Sequence, residues 1–351
     1  LQDIIYAAMS AGIESLLEYL SAHVLTCLIP AFFIAGAISA LLKKDIILKY
    51  FGADAPKWLC YPVAAVSGTL LAVCSCTILP MFAGIERKGA GIGPATAFLF
   101  SGPAINLMAI VLTARVLGLD IGIARAIAAV MMAVLIGLIM SFVFPEGKSR
   151  CAKGNPSSKD GSVSRTTLLF IGVLIAILLV ATSSAISLEP KIAILSALIL
   201  VAAYTMWRYY TPVEIHAFLG ETWWLAKRIF PLLLAGTFVV GVIGYFLPMD
   251  LIRRIMGSNS FISCLTASII GAVLYMPTLL EVPIVGTLFG YSAGVTAPGP
   301  ALALLLAGPS LSLPNMIVIA RVIGPRKAGV YITLVVLIST LIGMIYGALV
   351  S

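Results

Sequence analysis

Charge is scarce in this chain of 351 residues: only 10% are Asp, Glu, Lys or Arg, and only two are histidine. About a quarter of an ordinary soluble domain is charged, so that scarcity excludes one. No phosphate-binding loop or zinc-protease helix occurs, so coupling to ATP hydrolysis on this chain is not expected, nor is an enzyme or a resident cofactor. The six cysteines, Cys27, Cys60, Cys74, Cys76, Cys151 and Cys264, are too few and too scattered for a disulfide framework. A basic stretch, a short apolar core and a small-residue cleavage site do not occur together at the start, so no signal peptide is expected.

What the chain has is apolar surface: 61% of residues are hydrophobic and the mean hydropathy is +1.12. These values predict an all-α polytopic membrane protein, and its apolar segments number about 8–10 candidate transmembrane segments. The formal charge of +8 would suggest a nucleic-acid partner in a soluble domain. Here the basic residues sit in short connections between apolar runs, where they orient spans, so the lipid bilayer is the expected partner and nucleic acid is not.

Residues 1–20 read as an interfacial amphipathic helix and Val24 to Leu42 as the first span. Trp58 to Ile85 is a long apolar segment interrupted at Cys74-Ser75-Cys76 and Pro80. After the charged turn Glu86-Arg87-Lys88-Gly89, a second segment runs to Gly118, broken at Ser101-Gly102-Pro103, and a span from Ile121 to Phe144 follows. Residues 145–167 form a polar, basic linker. Residues 168–210 form a helical hairpin around Glu189-Pro190-Lys191, and Val213 to Trp224 resembles the opening amphipathic segment.

Beyond this point the sequence repeats. Gly93 to Gly118 matches Gly299 to Gly324 at a constant offset of 206 with twelve identities, and upstream the offset is 203, pairing Gly68 with Gly271 and Pro80 with Pro283. The predicted organisation is a duplication, 1–144 and 211–351, around the linker and the hairpin.

Charge decides between two topologies. If every apolar segment crosses, the basic residues divide 12 against 10, and the positive-inside bias is silent. If Cys74-Ser75-Cys76 and its counterpart at Met276-Pro277 lie in re-entrant hairpins, the second half is inverted. The division is then 17 against 5, with only Arg115, Arg125, Lys191, Arg253 and Arg254 outside. The inverted-repeat arrangement is the expectation.

Inverted repeats with broken helices bring a transport site to the midplane. Cys74 and Cys76 lie about 200° apart on a regular helix, so they converge only where the backbone unwinds, and convergent thiolates favour soft metals and metalloids. With Ser75 they are the candidate substrate or metal ligands; two packing residues near a proline kink is the plainer reading. Cys27 and Cys60 read as packing, with a third thiol for a metalloid site as the exception. Glu281, at the repeat equivalent of Ile78, is an acid inside an apolar run and a candidate coupling residue. Ser101, Gly102 and Asn106 at one break, and Ser310 and Asn315 at the other, could present helix ends and carbonyls to a polar ligand, or serve as kinks. Arg115 and Arg321 sit at segment ends, and Cys264, His23, His216, Met81 and Met276 read as packing.

At Val73-Cys74-Ser75-Cys76-Thr77-Ile78-Leu79-Pro80, Arg87-Lys88-Gly89-Ala90, the run Ala97 to Asn106 and its counterpart Pro298 to Pro309, the chain resembles the predicted permease family that includes the trivalent organoarsenical efflux permeases. The resemblance implies a multi-pass permease of the plasma or inner membrane, with Cys74 and Cys76 as candidate substrate ligands. The second repeat departs from a symmetric thiol pattern, with Met276-Pro277-Thr278 where another cysteine would stand. The expected function is efflux of a small thiophilic solute, a trivalent arsenical or soft metal ion, with proton coupling through Glu281. The rival is a membrane thiol-disulfide oxidoreductase relaying electrons through Cys74 and Cys76. A channel-like or scaffold role and assembly as a homo-oligomer stay open.

Overall fold

The computed structural model describes residues 2–21, 28–41, 60–65, 75–87, 91–145, 165–182, 188–246, 254–274, 276 and 281–350, and among them there are helices and no strand. The first part holds α1 (Gln2–Tyr19), α2 (Ile29–Leu41), α3 (Ser75–Arg87), α4 (Ile92–Ala104), α5 (Leu107–Val116) and α6 (Leu119–Val143). Next come α7 (Arg165–Thr182) and α8 (Leu188–Tyr209). The last part holds α9 (Pro212–Phe246), α10 (Phe261–Val273), a short α11 (Glu281–Pro283) continued by a π turn (Ile284–Leu288), α12 (Pro298–Ser310), α13 (Leu313–Ile323) and α14 (Pro325–Val350).

Among the described residues four helices, within α6, α8, α9 and α14, are long and apolar enough to cross a membrane. The bent pairs α4–α5 and α12–α13 raise the number to six if each is one span. The shorter apolar helices α2, α7 and α10 lie in segments that the sequence also reads as apolar. The protein is an all-α polytopic membrane protein. The linker at 146–164 lies outside the described residues.

The core is built from helices that are apolar on every side. Each residue of α4 is buried, as is each of α12 from Gly299 onward, as expected of helices enclosed by other helices. These two pack against each other, α4 also against α6 and α12 against α14, and α6 packs on α14. Small residues make the close crossings possible in lipid, where dispersion and fit drive helix association. An added Cβ at Gly93 would fall 2.7 Å from the Gly137 carbonyl oxygen, and one at Gly299 would fall 2.7 Å from that of Gly343.

Those two crossings are 206 residues apart, and the helices around them keep the same register. The bounds of α4, α5 and α6 recur in α12, α13 and α14 at that offset to within one residue. The bends are 44° between α4 and α5 and 50° between α12 and α13. Gly118 and Gly324 open α6 and α14 with φ of 123° and 87°, a region glycine enters without the Cβ penalty.

Three expected boundaries move. Pro80, Pro103 and Pro309 lie inside α3, α4 and α12, so the chain turns at Ile105-Asn106 and Leu311-Ser312, past each Gly-Pro. A proline removes one N–H and clashes backward, toward the residue four before it, so the turn after it can still close. Pro80 thereby leaves the Cys76 carbonyl without its ordinary helical donor. The amphipathic segment at 213–224 is continuous with the next span in the 35-residue α9, because no breaker separates them before Pro231. Glu189-Pro190 is the first turn of α8 rather than a loop, a position proline tolerates.

Candidate functional site

The described site begins with a fold-back. Gly118 turns the chain after α5, and Gly122 lets α6 approach so closely that a Cβ there would lie 2.6 Å from Ala114 Cβ. One turn further along α6, Arg125 faces Thr113. Arg125 Nη1 donates to Thr113 Oγ1 at 2.8 Å, while the threonine hydroxyl donates to the Ala109 carbonyl at 2.7 Å. This i−4 back-bond is a threonine's ordinary way of satisfying its proton within a helix, and it leaves an oxygen lone pair for the guanidinium.

Arg125 Nη2 donates to Glu281 Oε1 of α11, and neither side chain has any exposed surface. α11 packs against α5 and α12, so Thr113, Arg125 and Glu281 form one polar line through three helices. Two valences are left over: among the described residues, Arg125 Nε and Glu281 Oε2 have no hydrogen-bond partner. A charge pair withdrawn from water loses several kcal/mol per ion in solvation, on the order of what the mutual attraction restores. Such a pair inside a membrane protein marks a functional position by default.

The other sequence candidates divide. Cys74 lies outside the described residues, as do the side chains of Ser75 and Cys76, which open α3; Cys27 and His23 lie outside as well. Ser101 is buried with Oγ 3.2 Å from the Ala64 carbonyl and 3.1 Å from that of Phe98, so its proton serves the fold. Gly102 makes room for α3: a Cβ there would fall 2.7 Å from Ile78 Cδ1. Asn106 is buried at the first bend. At the second, Ser312 accepts from the Asn315 backbone N–H, while Ser310 Oγ and Asn315 Oδ1 are buried without partners among the described residues. The helices carrying the two bends, α4 and α12, are brought together.

Cys60, Cys264, Met81 and Met276 are buried, consistent with packing. His216, read from the sequence as packing, is exposed on α9 instead. Among the described residues no three His, Cys, Asp or Glu side chains lie together as a metal group.

Sequence reading missed Arg125 by counting it with the charges outside the membrane. The signal was present: Arg125 is a lone cation in the apolar run Ile121 to Phe144, and an intramembrane arginine calls for an acid to face it.

A cavity of about 140 Å³ lies between α3, α9 and α13, lined by Ala83, Glu86, Trp224, Arg228, Val318 and Arg321 among others. The Arg228 guanidinium sits 5.0 Å from the centre of the Trp224 ring, a cation–π distance.

Residues 10–348 match the family ArsP_1, described as a predicted permease. The chain is 43% identical over 350 residues to the UPF0718 protein MJ0584 of Methanocaldococcus jannaschii, covering 95% of this chain and 94% of that one. It is 24% identical over 302 residues to the UPF0718 protein YraQ of Escherichia coli, covering 84% and 69%. No solved structure matches the chain. With a match across nearly its whole length, this multi-pass membrane protein belongs to the ArsP_1 family of predicted permeases.

Proposed function

We propose that the protein is a secondary permease that exports a small thiophilic solute, a trivalent arsenical or a soft metal ion, held by Cys74 and Cys76 and driven by protons through Glu281. The observation that carries this reading is the Arg125–Glu281 pair, a fully buried ion pair that joins the two repeats. While Glu281 is ionised, the pair holds α6 against α11. A proton on Glu281 removes the attraction and leaves Arg125 charged without a counter-ion, which the interior does not tolerate. Protonation therefore favours a rearrangement that gives the guanidinium a new partner, and such a linkage is what proton-coupled movement of two halves requires.

Two facts favour inverted halves. Glu86, Arg228 and Arg321 line one cavity, whereas alternate crossing by every apolar segment would put Arg321 on the opposite side from the other two. The pairing of Arg125 with Glu281 likewise requires one side where that arrangement has two. Both follow if the thiol segment and the Glu281 segment are re-entrant.

The direct test is uptake into everted vesicles of arsenite, methylarsenite, zinc and copper, comparing wild type with Cys76→Ala. Accumulation of one solute by wild type, lost in Cys76→Ala, is the expected result. Equal accumulation by both proteins overturns the thiol site, and accumulation of none overturns the substrate class.

A further inference from the structure

Three helices bring polar residues to the cavity between α3, α9 and α13. Glu86 lies in the last turn of α3 and Arg321 in the last turn of α13. Trp224 and Arg228 lie on α9 just before Ile229 to Phe246, a run without a charge. Exposed tryptophan and arginine at the start of such a run mark the level of the lipid headgroups. Both are exposed here, which places the cavity at the membrane surface.

Its charge is unbalanced. Arg228, Arg321 and Glu86 are the charged residues of the lining, so two cations against one carboxylate leave a surplus of one positive charge. Among the described residues neither arginine forms an ion pair with a carboxylate. A lone arginine at this level is ordinarily an anchor whose head reaches water. Two from separate helices on one small cavity repel each other, and anchoring alone would turn them apart.

The rest of the lining is apolar: Ala83, Leu225, Ile229, Leu232, Val318 and Val322. From Trp224 to Leu232 this wall runs about 12 Å along α9, at 1.5 Å per residue, away from the headgroup level and into the uncharged run. Pockets for drug-sized solutes measure about 300–1,000 Å³, and this one holds about 140 Å³. A polar headgroup enters such a space while the chains attached to it stay in the bilayer.

We infer that the cavity is a lipid site: it takes the phosphodiester of an anionic phospholipid between Arg228 and Arg321, with the acyl chains continuing past Leu232. The single negative charge of the phosphodiester matches the surplus. Guanidinium groups offer phosphate paired N–H donors, and Trp224, 5.0 Å from the Arg228 guanidinium, steadies that side chain by cation–π attraction. Basic pockets between spanning helices recognise anionic headgroups in this way. The lipid bridges α3 of the first repeat to α9 and α13 of the second, at a seam where these helices already touch. The site stands independently of the thiols and of proton coupling.

Native mass spectrometry of the purified protein in neutral detergent tests it. Dioleoylphosphatidylglycerol, dioleoylphosphatidylcholine or glycerol phosphate is titrated in, with the unfolding temperature followed alongside. Wild type should retain phosphatidylglycerol, and Arg228→Gln with Arg321→Gln should bind it about tenfold more weakly or worse, as loss of charge-assisted hydrogen bonds does. Val322→Trp, which fills the cavity and keeps both charges, should also lose it. Lys227→Gln with Arg326→Gln removes as much charge from residues outside the lining and should bind as wild type does. Undiminished binding by either cavity variant overturns the site, and so does equal weakening by the Lys227 and Arg326 replacements. Phosphatidylcholine bound as tightly as phosphatidylglycerol overturns the charge match. Glycerol phosphate that raises the unfolding temperature as far as phosphatidylglycerol does overturns the lipid in favour of a soluble anion.

Discussion

Arg125 and Glu281 are 156 residues apart in the chain and hydrogen-bonded to each other with no exposed side-chain surface. Each is the other's means of being buried while charged. Removing one strands the other, at about 3–5 kcal/mol, whereas removing both in favour of apolar groups of similar size is close to neutral. Glu281→Ala and Arg125→Ala should each lower the unfolding temperature in detergent. The double replacement Arg125→Met with Glu281→Leu should recover most of it without recovering transport. Single variants as stable as wild type would show that the pair does not hold the halves together.

Glu281→Gln separates charge from shape. The amide oxygen can still accept from Arg125, but it cannot take up a proton in this pH range. The half-saturating concentration for solute should stay near the wild-type value, while the dependence of rate on pH flattens. Should transport and its pH profile both survive the change, Glu281 has no part in coupling.

The repeat made much of the fold legible before any coordinates. The twelve identities between Gly93 to Gly118 and Gly299 to Gly324 include the glycines that open α6 and α14 at positive φ. Identical residues at such points repeat a backbone conformation as well as a pattern. Gly-Pro was less informative about position, since a proline's missing hydrogen bond lies one turn behind it and the chain bends one step ahead. Glu281 stood out because an acid in an apolar run is rare, but the rule that isolates an acid cannot name its partner. Arg125 escaped because it was weighed as a loop charge for topology rather than as a buried cation needing an acid.

Side of the membrane can be read by labelling. Glu86 and Arg321 line one cavity, while Arg115, exposed in the last turn of α5, belongs on the other face if the halves are inverted. In vesicles of known orientation, Glu86→Cys and Arg321→Cys should react with a membrane-impermeant maleimide from the cytoplasmic side, and Arg115→Cys from the opposite side. Labelling of Glu86→Cys and Arg321→Cys from opposite sides would refute the inverted arrangement.

The glycine crossings predict that one substitution changes sign with its place. At Gly343 a new Cβ would lie 2.6 Å from the Gly299 carbonyl oxygen and 2.8 Å from Ala303 Cβ, and at Gly137 it would lie 2.7 Å from Tyr61 Cε1 and 2.9 Å from the Gly93 carbonyl oxygen. Backbone oxygen cannot rotate aside, so the helices must part, at about 1–3 kcal/mol by the usual cost of overpacking. Gly172 in α7 has nothing among the described residues within 4 Å of its would-be Cβ, and there alanine should stabilise the helix by up to about 1 kcal/mol. Thermal unfolding of the purified variants should therefore show Gly137→Ala and Gly343→Ala below wild type and Gly172→Ala at or above it. The two crossings should also suffer alike, because the same contact between carbonyl and glycine closes both. If Gly343→Ala and Gly172→Ala unfold at the same temperature, close approach of α12 and α14 does not contribute to stability.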